Sequence, residues 1–234
     1  MAAPRLPDDA GSARDYPLEQ IAAHIDAERR WVSLLGEFRE LVFGAQDGLV
    51  STLAVVATVA GATTDNLAVL VAGLASAMAG IFSMSIGEYM GSKSEAEIQR
   101  EHVEREWHEV QERPFESEAE VAFLFMQEGV DREVAWETAA VIARYPRSLL
   151  ATMLAKELGL STDEQAGAEG TPLRGALVMG AAFAAGAVPP ILPFLFTEGV
   201  QALALATAFT GLVLFAIGVL KSRWTARHWL WSGL

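Results

Sequence analysis

The sequence contains no cysteine, so it offers neither disulfides nor thiolate metal ligands. A metal site would therefore need carboxylate, imidazole, thioether or carbonyl donors. Basic residues are also few, with 17 Lys and Arg against 30 Asp and Glu, and the formal net charge is −13. This excess of negative charge argues against nucleic acid as a partner, because binding to nucleic acid depends on Lys and Arg that neutralise phosphates.

Two long stretches, residues 41–92 and 175–220, contain no Lys or Arg. They are apolar stretches of a chain that is 52% hydrophobic and 20% charged, with a mean hydropathy of +0.27. Each divides into two segments of about 20 residues, the length that a helix needs to cross a bilayer. The sequence therefore predicts four membrane spans, at residues 41–61, 67–91, 173–196 and 199–220.

The basic residues lie at the span ends that would all face the same side of the membrane. They are Arg29, Arg30 and Arg39 before the first span, Lys93 after the second, Arg174 before the third, and Lys221, Arg223 and Arg227 after the fourth. Under the positive-inside rule, this distribution predicts that the N-terminus, the segment between spans two and three, and the C-terminal segment are cytoplasmic.

The segment between spans two and three is strongly acidic. Residues 92–170 hold 18 Asp and Glu against 8 Lys and Arg, a difference of −10. No proline interrupts the chain from Gly73 to Arg113, which predicts one helix that runs from the second span into this segment. Further helices are predicted at residues 117–128, 131–144 and 147–158, followed by a loop.

Before the first span, residues 18–40 place apolar side chains among charges at roughly helical spacing. This pattern is typical of an amphipathic helix at a membrane surface, and equally of a soluble helix that packs on a partner. Residues 1–16 have no apolar core, which indicates a disordered tail rather than a cleavable signal peptide.

The predicted fold class is all-α. We expect a polytopic helical membrane protein with a cytoplasmic helical metal-binding domain inserted between its second and third spans. The predicted divisions are an N-terminal tail and amphipathic helix (1–40), spans one and two (41–91), the acidic domain (92–170), spans three and four (171–220) and the start of a truncated fifth helix (221–234).

Glutamates recur at helical spacing through the acidic domain. Glu106 and Glu109 lie three residues apart and share a helix face, and Met153 lies four before Glu157. Three more follow the predicted turn at Pro114, namely Glu116, Glu118 and Glu120. Carboxylates that converge with a thioether suit Fe²⁺ or Mn²⁺, whereas oxygen donors alone would suit Mg²⁺ or Ca²⁺ equally. The alternative is a solvated helical face with ion pairs along each helix.

Polar side chains also occur inside the predicted spans. An intramembrane carboxylate such as Asp47 costs about 2.5–3.5 kcal/mol to insert and is by default a functional candidate, able to bind a cation or carry a proton. On the second span, Met84 and Glu88 follow a row of small residues and are predicted to face a protein interior. The alternatives are a helix-end cap for Asp47, an interfacial position for Glu88 and ordinary packing for Met84.

Four segments together resemble the vacuolar iron transporter family of plant, fungal and bacterial Fe²⁺ and Mn²⁺ transporters. They are RELVFGAQDGLVSTL in the first span, SMSIGEYMGSKSEAEI across the end of the second, MLAKELGL before the third and PPILPF within it. The resemblance covers about residues 36–220, and the first two motifs are specific only in combination.

The resemblance implies a dimer with five spans per subunit, ions that pass between the subunits, and a cytoplasmic helical domain that collects metal. The family's intramembrane aspartate and methionine fall on Asp47 and Met84. Its glutamates on the long helix fall on Glu106 and Glu109, the one on the following helix falls on Glu120, and its Met–Glu pair falls on Met153 and Glu157.

The chain departs from the family pattern at several positions. A further family glutamate would fall on Ser117, and we take Glu116 as the candidate in its place. The second methionine of the plant Met–Met pair is Leu154, and a second-span glutamate of the plant proteins is Ser76, for which Glu88 is the candidate substitute. The fifth span is absent, which predicts either a fragment or a protein that works with four.

The sequence therefore predicts a transporter, not an enzyme, that moves Fe²⁺ or Mn²⁺ out of the cytoplasm in exchange for protons and needs no organic cofactor. Its predicted setting is a bacterial inner membrane, with lipid and a second copy of the chain as partners. One alternative is a membrane protein that binds or senses metal without transport. A ferritin-like di-iron oxidase is the other, but none of the 4 histidines has a glutamate three residues before it.

Overall fold

The computed structural model describes residues 17–157, 159 and 172–225. Within this part of the chain the regular structure is entirely helical, which confirms the predicted all-α fold. The helices are α1 (Leu18–Ala62), α2 (Asn66–Glu112), α3 (Pro114–Gln127), α4 (Arg132–Ala143), α5 (Pro146–Glu157), α6 (Pro172–Ile191) and α7 (Gly199–Thr225), with a 3₁₀ turn at Leu192–Leu195 after α6.

Four helices in the described residues are long and apolar enough to cross a membrane. Their apolar segments lie in Phe38–Ala62, within Asn66–Glu112, in Pro172–Leu195 and in Gly199–Leu220. These segments correspond to the four predicted spans. The chain forms two compact units, which we call the apolar unit (Met1–Glu88 and Leu173–Leu234) and the acidic unit (Tyr89–Pro172).

The segment before the first span does not form a separate helix. Helix α1 continues without interruption from Leu18 through the span to Ala62, 45 residues in all. A rise of 1.5 Å per residue gives it a length of about 68 Å. No proline separates residues 18–40 from the span, so the helix continues through both. The interpretation of residues 18–40 as an amphipathic helix at a membrane surface stays a prediction.

The turn between α1 and α2 is short and polar. The backbone N–H of Thr63 donates to the carbonyl of Val59 at 3.0 Å and closes α1, while the Asp65 carboxylate accepts from the N–H of Leu67 at 3.0 Å and caps α2. From there α2 runs 47 residues without a break, which confirms the predicted continuous helix. It ends before Pro114, because the residue preceding a proline is pushed out of the helical region.

Helices α1 and α6 approach each other at backbone distance in the apolar unit. A Cβ added at Gly186 would lie 2.1 Å from the carbonyl oxygen of Ala45, and one added at Gly48 would lie 2.3 Å from the carbonyl oxygen of Phe183. On α2, Gly80 leaves room for the ring of Phe183. Small residues thus allow the close helix packing that membrane proteins use in place of a hydrophobic driving force.

The prolines at the end of the third span shape its last turns. Pro189 and Pro190 lie within α6, which ends at Ile191, and Pro193 lies in the 3₁₀ turn. The α-helix therefore ends one residue after the proline pair and continues as the 3₁₀ turn, because prolines lack the N–H groups that the helical hydrogen bonds need. The carbonyl of Phe194 accepts a hydrogen bond from the Asn66 side-chain amide, which ties this turn to the start of α2.

The acidic unit is a small helical bundle. Helices α3, α4 and α5 pack with the last turns of α2 around a core of Val110, Val121, Ala122, Ala139, Leu149 and Met153. The three predicted helices of this region are confirmed, with boundaries shifted by up to three residues. The predicted tail (1–16), the loop at 161–171 and residues 226–234 of the predicted fifth helix lie outside the described residues, whereas residues 221–225 continue α7.

Candidate metal centre

Three glutamates converge where α2 ends and α3 begins. Glu109 comes from the last turn of α2, and Glu116 and Glu120 come from the first two turns of α3. One carboxylate oxygen from each lies within 4.8 Å of the other two. Glu109 and Glu120 are half-buried and Glu116 is exposed. Such a set of oxygen donors can hold one divalent cation, and among the described residues it is the one group of three or more His, Asp or Glu this close together.

The structure also shows why Glu116, rather than its neighbours, belongs to this set. Ser117 is fully buried, and its hydroxyl donates to the carbonyl of Arg113 at 3.4 Å. The residue at this position therefore points into the helix corner. Glu116 lies one residue earlier, and one of its carboxylate oxygens lies within 4.8 Å of those of Glu109 and Glu120.

A cation of the protein itself lies at the same corner. Arg113 donates from Nη1 to Oε2 of Glu116 at 2.9 Å, and its Nη2 lies 3.7 Å from Oε2 of Glu109. These two carboxylates, Glu109 first, raise the pKa of the Arg113 guanidinium further above its ordinary value. The guanidinium thus bridges the last turn of α2 and the first turn of α3.

Two further predicted glutamates contribute to the same electrostatic field. Glu106 is buried, with 6% of its surface exposed, and lies 3.4 Å from Nη2 of Arg105. Burial raises the pKa of Glu157, and the negative charges of Glu106 and Glu109 raise it further. The pKa of Glu120 is raised by burial and then by Glu109, Glu157, Glu116 and Glu106 in that order. Burial and the neighbouring glutamates therefore raise the pKa values of both Glu120 and Glu157.

Met153 has a different environment from the carboxylates. It is fully buried in the core of the acidic unit, together with Val121 and Leu149, and lies one turn before Glu157 on α5. Leu154, at the position of the second methionine of the plant pair, is also buried. Met153 therefore packs in the core of the acidic unit, one helical turn from the carboxylate of Glu157.

In the apolar unit, Asp47 and Met84 lie within the first and second spans. Asp47 is half-buried, and its backbone carbonyl accepts a hydrogen bond from the Ser51 hydroxyl at 2.6 Å. Met84 is half-buried and packs against Phe183 and its neighbours Ala77 and Ala187. The structure therefore places both on their helices as predicted, with Met84 in contact with the interior of the unit.

Glu88 is accompanied by a second carboxylate that the sequence analysis missed. A Cβ added at Gly175 of α6 would lie 3.3 Å from Oε1 of Glu88 and 3.5 Å from Oε2 of Glu40. The carboxylates of α1 and α2 thus meet over this glycine. They line a cavity of about 290 Å³ together with Arg39, Phe43 and Met179. The sequence does place Glu40 and Glu88 at corresponding ends of the first and second spans. Only the packing of the helices shows that their carboxylates converge.

Comparison with known proteins identifies the family. The VIT family model matches residues 38–234, which is most of the chain. The chain belongs to the VIT family. It is 31% identical to vacuolar iron transporter 1 of Oryza sativa subsp. japonica over 88% of this chain and 80% of the relative. It is 30% identical to the vacuolar iron transporter of Centaurea cyanus, over 84% and 79% of the two chains, and to vacuolar iron transporter 1 of Arabidopsis thaliana, over 80% and 74%.

Membership of the VIT family settles the coarse questions that the sequence raised. The family resemblance is confirmed, the chain is a multi-pass membrane protein, and it is not an enzyme. The similarity extends through the acidic unit as well as the spans, since the matched residues include both.

Acidification is expected to weaken ion binding by the acidic unit at a higher pH than for an ordinary glutamate site. Burial and neighbouring carboxylates raise the pKa of Glu120 and Glu157, so both take up protons earlier as the pH falls. A protonated carboxyl is a poor metal ligand. Mn²⁺ affinity should be measured from about pH 7 to about pH 5, spanning the range just above ordinary glutamate titration. Glu120→Gln should flatten the profile, and an unchanged profile would contradict the assignment.

The raised pKa values of Glu120 and Glu157 should also make the free energy of unfolding depend on pH when no ion is bound. A carboxyl with a raised pKa in the folded state binds more protons in the native than in the unfolded chain. The free energy of unfolding of the acidic unit is therefore greatest in mild acid and falls as the pH rises through the raised pKa values. Because both side chains are partly exposed, we expect a change of less than about 1 kcal/mol.

Proposed function

We propose that this VIT family chain transports divalent iron, and Mn²⁺ as a second cargo, out of the cytoplasm in exchange for protons. The observation that carries the proposal is the family match across residues 38–234, among relatives named as vacuolar iron transporters. It is supported by the four helices of the described residues that are able to span a membrane, and by an acidic unit with three convergent carboxylates.

In the proposed cycle, the acidic unit captures the ion first. Glu109, Glu116 and Glu120 supply the oxygen donors, because one oxygen from each lies within 4.8 Å of the others. Glu106 and Glu157 add negative charge to the same site, and Met153 is the candidate thioether donor. Three oxygen donors leave coordination positions for water, as small divalent ions require.

The ion then enters the apolar unit, where Asp47, Met84 and Glu88 are the proposed path residues. Asp47 provides both functions that antiport needs, since its carboxylate oxygens can hold a cation or a proton but not both at once. Met84 offers a thioether that favours transition-metal ions over Mg²⁺ or Ca²⁺. Glu88 lies beside Glu40, so two carboxylates lie close together at that end of the unit.

The distribution of basic residues supports the proposed orientation, with the N-terminus and the acidic unit in the cytoplasm. The same proposal includes a homodimer that conducts ions between its subunits, because the resemblance to the vacuolar iron transporter family implies one. The bacterial inner membrane stays a prediction.

The proposal is tested by Fe²⁺ uptake into proteoliposomes that contain the full chain and carry an imposed pH gradient. We expect uptake that depends on the gradient and that stops when a protonophore collapses it. Uptake that is independent of the pH gradient would contradict proton exchange but would still support Fe²⁺ transport. Absence of uptake in chains that still bind Fe²⁺ would contradict transport and favour a protein that only binds metal.

A further inference from the structure

The corner between α2 and α3 has a feature that the transport proposal does not use. Arg113 lies inside the three-glutamate set, with its guanidinium on the two oxygens Oε2 of Glu109 and Oε2 of Glu116. These are two of the three carboxylates that would bind the ion. A divalent ion and the guanidinium therefore need the same pair of side chains.

We propose that Arg113 is an internal competitor of the bound ion, which occupies Glu109 and Glu116 until a divalent cation displaces it. This inference rests on the proposed function, since it takes the Glu109–Glu116–Glu120 set to be an ion site. It adds a residue of the chain itself to the determinants of cation affinity at this site.

The backbone of Arg113 is held firmly while its side chain can leave. Its N–H donates to the carbonyl of Glu109 at 2.8 Å, and its own carbonyl accepts from the N–H groups of Glu116 at 3.0 Å and Ser117 at 3.2 Å. The side chain, by contrast, is 57% exposed. The guanidinium can therefore swing into water when an ion arrives, without disturbing the corner that positions the glutamates.

The charges show why such a competitor would discriminate among ions. A monovalent cation meets carboxylates that are already paired with a group of equal charge, so it gains little by displacing the guanidinium. A divalent ion carries twice the charge and gains more from the same carboxylates, as Coulomb's law requires. The cost of displacing the guanidinium is the same for every cation, so a monovalent ion, which gains less from the carboxylates, occupies the site less than a divalent ion at the same concentration.

Arg113 also has an effect in the opposite direction, because it holds two mutually repelling carboxylates together before the ion arrives. Exposed ion pairs contribute little, however, and this guanidinium is largely exposed. The loss of that positioning effect should therefore be smaller than the gain from removing the competing guanidinium. Replacement of Arg113 by a neutral residue is thus expected to tighten binding.

The test compares Arg113→Gln with the wild-type chain by calorimetric titration of Mn²⁺ into the full protein in detergent. We expect Arg113→Gln to bind Mn²⁺ about three- to tenfold more tightly. Arg113→Lys, which keeps the charge, should stay near the wild-type affinity. The matched control is Arg100→Gln, which removes the same charge from an exposed pair with Glu104 on the same helix. It should change the affinity less than about twofold, because exposed charges beyond a Debye length are screened.

A trivalent ion distinguishes displacement of the guanidinium from repulsion by a guanidinium that stays beside the ion. Every ion displaces the same guanidinium, so Arg113→Gln should tighten Tb³⁺ binding by about the same factor as Mn²⁺ binding. A guanidinium that stays beside the bound ion would repel Tb³⁺ more strongly than Mn²⁺, so a clearly larger factor for Tb³⁺ would overturn displacement. Equal or weaker Mn²⁺ binding by Arg113→Gln would overturn the inference, and so would Arg113→Lys binding as tightly as Arg113→Gln.

Failure of this inference can be separated from failure of the proposed ion site. If Glu109→Gln and Glu120→Gln each weaken Mn²⁺ binding but Arg113→Gln does not tighten it, the site stands and the competitor is rejected. If neither glutamate variant changes the affinity, the ion site itself is rejected, and the inference about Arg113 is rejected with it.

Discussion

Replacement of Asp47 by Asn is expected to abolish Fe²⁺ flux while ion binding by the acidic unit stays unchanged. The change removes one negative charge and leaves the side-chain volume nearly constant. A charged side chain inside a span is costly to insert, so its presence there indicates a function. Without it, an ion in the span loses its counter-charge and the chain loses its proposed proton carrier. We expect gradient-driven uptake to fall by about a hundredfold or more, since leaving a buried charge without its partner costs about 3–5 kcal/mol.

The matched control is Asp65→Asn, the same chemical change in the same unit. Asp65 caps α2 through its side chain, and asparagine is an equally good N-cap, so this variant should fold and transport normally. Mn²⁺ titration of both variants reports on the acidic unit independently of flux. Wild-type flux in Asp47→Asn would remove Asp47 from the path, and equal loss of flux in both variants would show that the effect is not specific to Asp47.

The regular helices could be read from the sequence because local signals determined them. Helix α2 was predictable over most of its 47 residues, since no proline interrupts it and Pro114 ends it. The small helices of the acidic unit follow equally local signals, with Gly129 in a left-handed conformation at φ 92° after α3. The continuity of α1 was harder to predict, because the change from charged to apolar residues suggests two segments, whereas backbone helicity continues through such a change of polarity.

The candidate site was predictable in composition but not in geometry. Spacing indicated that Glu109, Glu116 and Glu120 could meet, because each lies within two turns of the Pro114 corner. Spacing could not show that the Arg113 guanidinium reaches into the same set, because this depends on the direction of the chain at the corner. The pairing of Glu40 with Glu88 was equally hidden, since it depends on how α1, α2 and α6 pack side by side.

The close approach of α1 and α6 predicts that Gly186→Ala strongly destabilises the apolar unit. The new Cβ would lie 2.1 Å from the carbonyl oxygen of Ala45, a backbone atom that no rotamer change can move away. The two helices would have to separate, and overpacking of this kind costs about 3 kcal/mol. The measurement is the thermal unfolding midpoint of the detergent-solubilised chain, followed by tryptophan fluorescence.

Gly211→Ala is the matched control, because a Cβ at Gly211 on α7 meets no atom within 4 Å. There the substitution should be neutral or stabilise by up to about 1 kcal/mol, as alanine favours helix. Equal midpoints for the two variants would contradict backbone contact between α1 and α6. The contact also bears on transport, because Gly48, which meets the carbonyl of Phe183, directly follows Asp47. At temperatures where Gly186→Ala remains folded, it should therefore lose flux while the acidic unit still binds Mn²⁺ normally.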